Sequence, residues 1–178
     1  KWRVCPPSLI RRAASQDFEN AIGDLDQAIK LSPGEPSVYV NRGQIIQASG
    51  DITEAVESFT RALAVDPNYT PAYYYRALAY AADRPAQQLG IDRRVVDDLT
   101  AVLALEPWNF EAYMARAQAY LDGGDLDKAL VDYNLALVVT PDNLVPLLNR
   151  GHLHYVRRDY EPALHGYDRA LELDPESI

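Results

Sequence analysis

The feature that most constrains this chain is a phrase that recurs and closes on proline. AIKLSP, ALAVDP, VLALEP, ALVVTP and ALELDP end at Pro33, Pro67, Pro107, Pro141 and Pro175. The interval between them is constant, except from Pro67 to Pro107, where it is six longer. A period of roughly 34 residues marks a repeat array, in which each unit buries its apolar side only by stacking on its neighbours. Aligned on the prolines, the chain divides into frames 2–35, 36–69, 70–109, 110–143 and 144–177, and the third carries six extra residues. In the second half of each frame a small residue stands at Ala21, Ala55, Val95, Ala129 and Ala163, and another at Ala28, Ala62, Val102, Ala136 and Ala170. Between them sit the larger Leu25, Phe59, Leu99, Tyr133 and Tyr167. Spacings of four and three place all three positions on one helix face.

The first half has its own pattern. Tyr39, Tyr73, Tyr113 and Leu147 stand four residues before Gly43, Ala77, Ala117 and Gly151, where a small side chain lets a neighbouring helix approach closely. Gly50-Asp51 and Gly124-Asp125 then break the pattern, and aspartate is a good N-cap for the helix that follows. Each frame therefore predicts a helix, a tight turn, a helix and a short proline-marked link. Pro6-Pro7 falls where the first helix of frame one belongs, so an irregular start is expected, with at most a short helix near Leu9–Ser15.

The segments YVNRGQIIQASGDITEAVESFTRALAVDP and YMARAQAYLDGGDLDKALVDYNLALVVTP resemble tetratricopeptide repeats, whose unit is about 34 residues long. The resemblance covers frames two to five, with a second-helix match in frame one. It implies an all-α fold: a right-handed α-solenoid of antiparallel helix pairs over 1–178, with about four full repeats after a degenerate first one. First helices would line a concave face and second helices a convex one. The implied function is non-catalytic protein–protein binding as a scaffold or adaptor, with a peptide or protein segment as partner. The alternatives are self-association through the open solenoid ends, and a regulatory or targeting module of a larger protein whose activity lies elsewhere.

Counting from the frame starts, the expected groove-facing residues include Asn41, Gln44 and Gln47 in frame two, beside Val40. Frame three offers Tyr74, Tyr75 and Leu78; frame four Met114, Gln118 and Leu121; frame five Asn149, His152 and Tyr155. Amides of this kind pair with an extended backbone, and aromatics and methionine suit adaptable apolar contact. The Hsp70/Hsp90-type carboxylate clamp of the family's chaperone-binding members is not expected. Asn41 matches one of its asparagine positions, but its cationic positions hold Val40, Pro71 and Tyr75.

Arg42, Arg76, Arg116 and Arg150 recur at one position of the first helices, and Asp24, Asp98 and Asp132 at one position of the second. The expected reading is an inter-repeat ladder of Asp24–Arg42, Asp98–Arg116 and Asp132–Arg150 that tunes register rather than binding a ligand. Arg11-Arg12, Arg93-Arg94 and Arg157-Arg158 fall near the turn edge and suggest a basic rim, with a solvated edge as the default. The insertion around residues 83–90 reads as a neutral elaboration of a loop, an edge contact being the alternative.

Composition closes other routes. The 178 residues hold 17 basic and 26 acidic side chains, a formal charge of −9, which disfavours phosphate-backbone binding to nucleic acid. No apolar run reaches the roughly 20 residues of a membrane-spanning helix. Cys5 is the single cysteine, so an internal disulfide and a multi-thiolate metal site are excluded. His152 and His154 are two apart and point to different sides of a helix, and His165 lies on another. No spacing suggests a catalytic set, a cofactor site or a metal site, and a non-enzyme is expected. The chain opens on Lys1 without a signal-peptide pattern and reads as a processed product or an excised segment; a soluble chain is expected, with the cytoplasm favoured. The last second helix, with Leu164, Tyr167 and Leu171, is expected to lack a cover, which raises the prospect of end-to-end homo-oligomers.

Overall fold

The computed structural model describes residues 7–85 and 90–175, with side chains from Asp17 onward. Its described residues form helices α1 (Pro7–Leu31), α2 (Pro36–Ser49), α3 (Ile52–Val65), α4 (Thr70–Ala82), α5 (Arg93–Leu105), α6 (Phe110–Asp122), α7 (Leu126–Val139), α8 (Leu144–Val156) and α9 (Tyr160–Leu173). The fold is all-α, and each helix from α2 onward falls in the half-frame where the periodicity places one.

The chain divides into two compact units, one ending at Asp83 and the other beginning at Arg84. In the first, α1 packs on α2, α2 on α3 and on α4, and α3 on α4. In the second, α5 packs on α6, α6 on α7, α7 on α8 and α8 on α9. Within each unit, short connections fold each helix back on the one before it.

The core of each pair is built from the small–large–small signature. In the first unit Ala55, Phe59 and Ala62 are fully buried with Tyr39, Val40 and Ile46. In the second, Ala129, Tyr133 and Ala136 occupy the same register, and Tyr133 packs with Ala117 and Leu153. Gly43 is small because the Phe59 ring lies against it: a Cβ there would sit 2.5 Å from the ring. Gly151 receives Tyr167 more loosely, with the nearest ring atom 3.1 Å from a Cβ.

The turns follow the sequence closely. Gly50 and Gly124 adopt φ of 105° and 81°, the left-handed conformation that ends a helix without steric cost. The Asp51 and Asp125 carboxylates then accept the amides of Glu54 at 2.9 Å and Lys128 at 3.1 Å. In frame five the left-handed residue is Arg158, at φ 66°.

Frame one departs from the expected helix–turn–helix. Instead of a short helix near Leu9–Ser15, one unbroken helix of 25 residues runs from Pro7 to Leu31. Proline at the first helical position has no amide to lose and a backbone already set for the helix. Gln16-Asp17 stand where the later frames place Gly50-Asp51 and Gly124-Asp125. No residue takes the left-handed conformation at that point, and the helix continues. Residues 1–6, with Cys5, lie outside the described residues, as do the side chains of Arg11 and Arg12.

Candidate functional site

The recurring arginines show first what is not a ligand site. Arg42 donates from Nε to Asp26 at 2.7 Å, and from its terminal nitrogens to Ser58 and Glu54, each at 2.7 Å. Burial works against its charge, but these acceptors outweigh it and raise its pKa. Arg116 grips Asp132 with two parallel bonds, 2.8 and 2.7 Å long, and gives its remaining nitrogen to Thr100 at 3.0 Å. Asp132 is buried, and its bonds to the guanidinium raise the Arg116 pKa.

The arginines are structural, but the ladder differs from the expected one. The acceptor on the preceding helix lies two positions beyond the expected one: Asp26 rather than Asp24 for Arg42, and Thr100 rather than Asp98 for Arg116. Asp132 is the partner of Arg116 within its own frame, and Arg150 bonds Asn134 instead, at 3.1 Å. The error has a geometric cause. Each arginine reaches 16 residues back along the chain. Arg42 and Arg116 also reach 16 residues forward, to Ser58 and Asp132, so they lie between two second helices rather than over one. At the forward position of Arg150 stands Gly166, where a Cβ would lie 3.3 Å from the Gly151 backbone. With no carboxylate there, burial lowers the Arg150 pKa.

One arginine of each described turn-edge pair is also engaged. Arg94 bonds the buried Asp92 carboxylate at 2.8 and 3.2 Å, while Arg157 pairs with Asp127 and, at 3.4 Å, with Asp159. Arg84, at the start of the insertion, donates to the carbonyls of Gly90 at 2.7 Å and Asp122 at 3.1 Å. Ile91 lies against Gly123 so closely that a Cβ would fall 2.3 Å from its side chain. The insertion's ends are thus seated on the turn of the following frame; residues 86–89 lie outside the described residues.

The expected groove residues separate into two kinds. Val40 is buried in the core. Tyr75 leans into the same core with its ring 6.1 Å from that of Phe59, and Tyr74 meets Tyr75 edge-on at 5.5 Å. In the second unit Met114 and Leu121 pack against the Ala117–Tyr133 cluster. Asn149 is hydrogen-bonded to the Tyr133 hydroxyl, and Gln118 donates to Asp122 at 2.7 Å. These side chains brace the helices as much as they line a surface.

Two patches remain available. In the first unit Asn41 is exposed, Gln44 and Gln47 are half-buried, and none of the three has a side-chain partner among the described residues. Their spacing of three aligns them along α2, and α4, which packs on α2, carries Tyr74 and the half-buried Leu78. In the second unit His152 is exposed and stacks at 6.5 Å on Tyr155, itself 57% exposed. Sequence reasoning missed Tyr160, which extends this pair at 6.0 Å. Its place at the first position of α9, directly after the cap, was the signal. The described residues bring no three of His, Cys, Asp or Glu together as metal ligands, and they include no helix long and apolar enough to cross a membrane.

Comparison with known proteins places these helices. The TPR repeat family matches residues 46–83, and the tetratricopeptide repeat family matches residues 96–143. The chain is 26% identical over 178 residues to a cattle (Bos taurus) protein, BBSome complex member BBS4, covering 98% of this chain and 32% of that protein. It is 27% identical to human tetratricopeptide repeat protein 6, covering 97% of this chain and 32% of that one. The chain thus spans about a third of the length of these relatives. Among solved structures, MamA residues 41 to the end from Desulfovibrio magneticus RS-1 superposes with a TM-score of 0.75 at 20% identity, over 96% of this chain and 94% of that one. A tetratricopeptide repeat protein from Parabacteroides merdae gives 0.75 at 20% identity, over 92% and 62%. Period, turn chemistry, small–large–small packing and these matches agree: the chain is built of tetratricopeptide repeats.

Proposed function

We propose that this chain is a non-catalytic protein-binding module and that the α2–α4 face of its first unit takes an extended segment of a partner protein. The observation that carries this reading is the row Asn41, Gln44, Gln47. Three amides without side-chain partners among the described residues lie along one helix stripe, and the adjoining helix carries Tyr74 and Leu78. An amide offers both a donor and an acceptor, so such a row matches the alternating N–H and C=O groups of an extended backbone. The aromatic and aliphatic groups next to it supply contact area for the segment's side chains. The absence of a cationic clamp at Val40, Pro71 and Tyr75 argues for an internal segment over a C-terminal carboxylate.

The test is capture from lysate with three baits: the native chain, a variant with Asn41→Ala, Gln44→Ala and Gln47→Ala, and a variant with His152→Ala and Tyr155→Ala. All five positions are at least partly accessible, so the helices should survive, which circular dichroism checks. A partner kept by the native and His152/Tyr155 baits but lost by the amide bait supports the reading. A partner lost only with His152→Ala and Tyr155→Ala moves the site to the second unit and rejects the α2–α4 face.

A further inference from the structure

Helix α7 is apolar on a side that its neighbours do not use. Ala129, Tyr133 and Ala136 are buried, and α6 and α8 both pack on the helix. On the remaining side Val131 is 56% exposed, Leu135 36% and Val138 76%. Spacings of four and three hold these side chains in one stripe along the helix. The other second helices do not share it. At the same three positions α3 carries Glu57, Arg61 and Ala64, and α5 carries Asp97 and two alanines. On α9 they are His165, Arg169 and Glu172. Valine is a poorer helix former than alanine, glutamate or arginine, so neither packing within the chain nor helix formation accounts for two valines on this side of α7.

Two observations specify what covers the stripe. The charges at its ends are already matched: Lys128 pairs with Asp125 at 2.7 Å, Asp127 with Arg157, and Asp142 with Arg169 at 2.8 Å. The surface therefore presents apolar groups between satisfied ion pairs, and its complement is another apolar stripe. The order valine, leucine, valine also reads the same in both directions. A second α7 crossing antiparallel at Leu135 sets leucine against leucine and each Val131 near the partner's Val138. A two-fold axis builds such a contact from one surface used twice.

We propose that α7 is a self-association surface, through which two copies of the chain dimerise by antiparallel contact of Val131, Leu135 and Val138. This contact is separate from the ends of the array, because α7 has a helix packed before it and another after it in its own unit. Three side chains from each copy fall short of the roughly 800 Å² per partner of a stable interface, so the dimer is weak, half-formed at a chain concentration on the order of 100 µM. The formal charge of −9 on each copy opposes the contact, and salt screens that repulsion.

The test is sedimentation equilibrium of the native chain, from well below that concentration to about tenfold above it. The expected result is a shift from monomer to dimer, strengthened about threefold or more by high salt. Val138→Glu changes the most exposed of the three side chains, so the helix should survive, which circular dichroism checks. It places two charges in the symmetric contact and should weaken dimerisation about tenfold or more. A second measurement reads the geometry. In a chain with Cys5→Ser, Leu135→Cys should oxidise to a disulfide-linked dimer several-fold faster than Arg61→Cys, which stands at the same position on α3. A native chain that stays monomeric throughout would overturn the proposal and give the stripe to an apolar helix of a different protein. Dimers that Val138→Glu leaves unchanged, or equal cross-linking at positions 135 and 61, would overturn it by moving self-association to another surface.

Discussion

At Gly43 and Gly151 one position of the repeat is filled by the same residue for different margins. A methyl group on Gly43 would enter the Phe59 ring at 2.5 Å, whereas on Gly151 it would meet Tyr167 at 3.1 Å. Overpacking of a core costs about 1–3 kcal/mol, while alanine in a helix interior gains roughly 1 kcal/mol over glycine. Gly43→Ala is therefore expected to lose about 1–2 kcal/mol of stability, and Gly151→Ala to stay within roughly 0.5 kcal/mol of the parent, as read by urea unfolding. Arg158 gives the converse case: a non-glycine residue held left-handed at φ 66°. Arg158→Gly should raise stability by about 0.5–1 kcal/mol, the left-handed penalty less the entropy glycine adds to the unfolded chain. Asp132 belongs to this scale too. Asp132→Ala strips the bidentate partner from a guanidinium that is only 16% exposed, and a loss of about 3 kcal/mol is expected. Lysine at Arg116 should recover little of the pair, having no fork to match the carboxylate.

The helices are legible in the sequence to different degrees, and the reason is physical. Those from α2 to α9 carry the period, and α3, α5, α6, α7 and α8 add a capping side chain, so several local signals agree where those helices start. For α1 the proline pair was weighed without its position: Pro7 as the first helical residue opens a helix instead of breaking one. Among the expected site residues, the sequence placed Asn41, Gln44 and Gln47 where side chains remain available. It could not show that Asn149 is held by Tyr133 or that Val40 is core, because helix-face counting does not say how deeply a neighbour covers each position. The ladder's arginines were identified but given the wrong acceptors, since spacing along one helix does not reveal that Arg42 and Arg116 each sit between two others. At α5, Asp92 caps the helix through the Arg94 amide and bonds its guanidinium. That side-chain bond, ahead of the opposing effect of burial, holds the Asp92 pKa below its ordinary value of 3.8. A carboxylate with a lowered folded-state pKa stabilises the fold above its ordinary value, and this contribution is lost as pH falls through the lowered one. Asp92→Asn, which keeps an acceptor for the cap, should therefore flatten the stability loss between pH 5 and acid, measured as the urea midpoint against pH.

For the molecule as a whole, the two units use one repeat plan with different residues left over. In the first, the leftover groups are amides along α2; in the second, they are the His152–Tyr155–Tyr160 rings. Repeat stacking consumes the arginines, the small residues and most tyrosines, so the function of such a chain rests on the few positions that packing does not use. The most direct test of that claim is backbone NMR of the chain titrated with the segment of the partner that the native bait captures. Shifts concentrated at Asn41, Gln44 and Gln47 on α2 and at Tyr74 and Leu78 on α4 are the predicted result. Shifts confined to the second unit, or to the second helices α3, α5, α7 and α9, would contradict it.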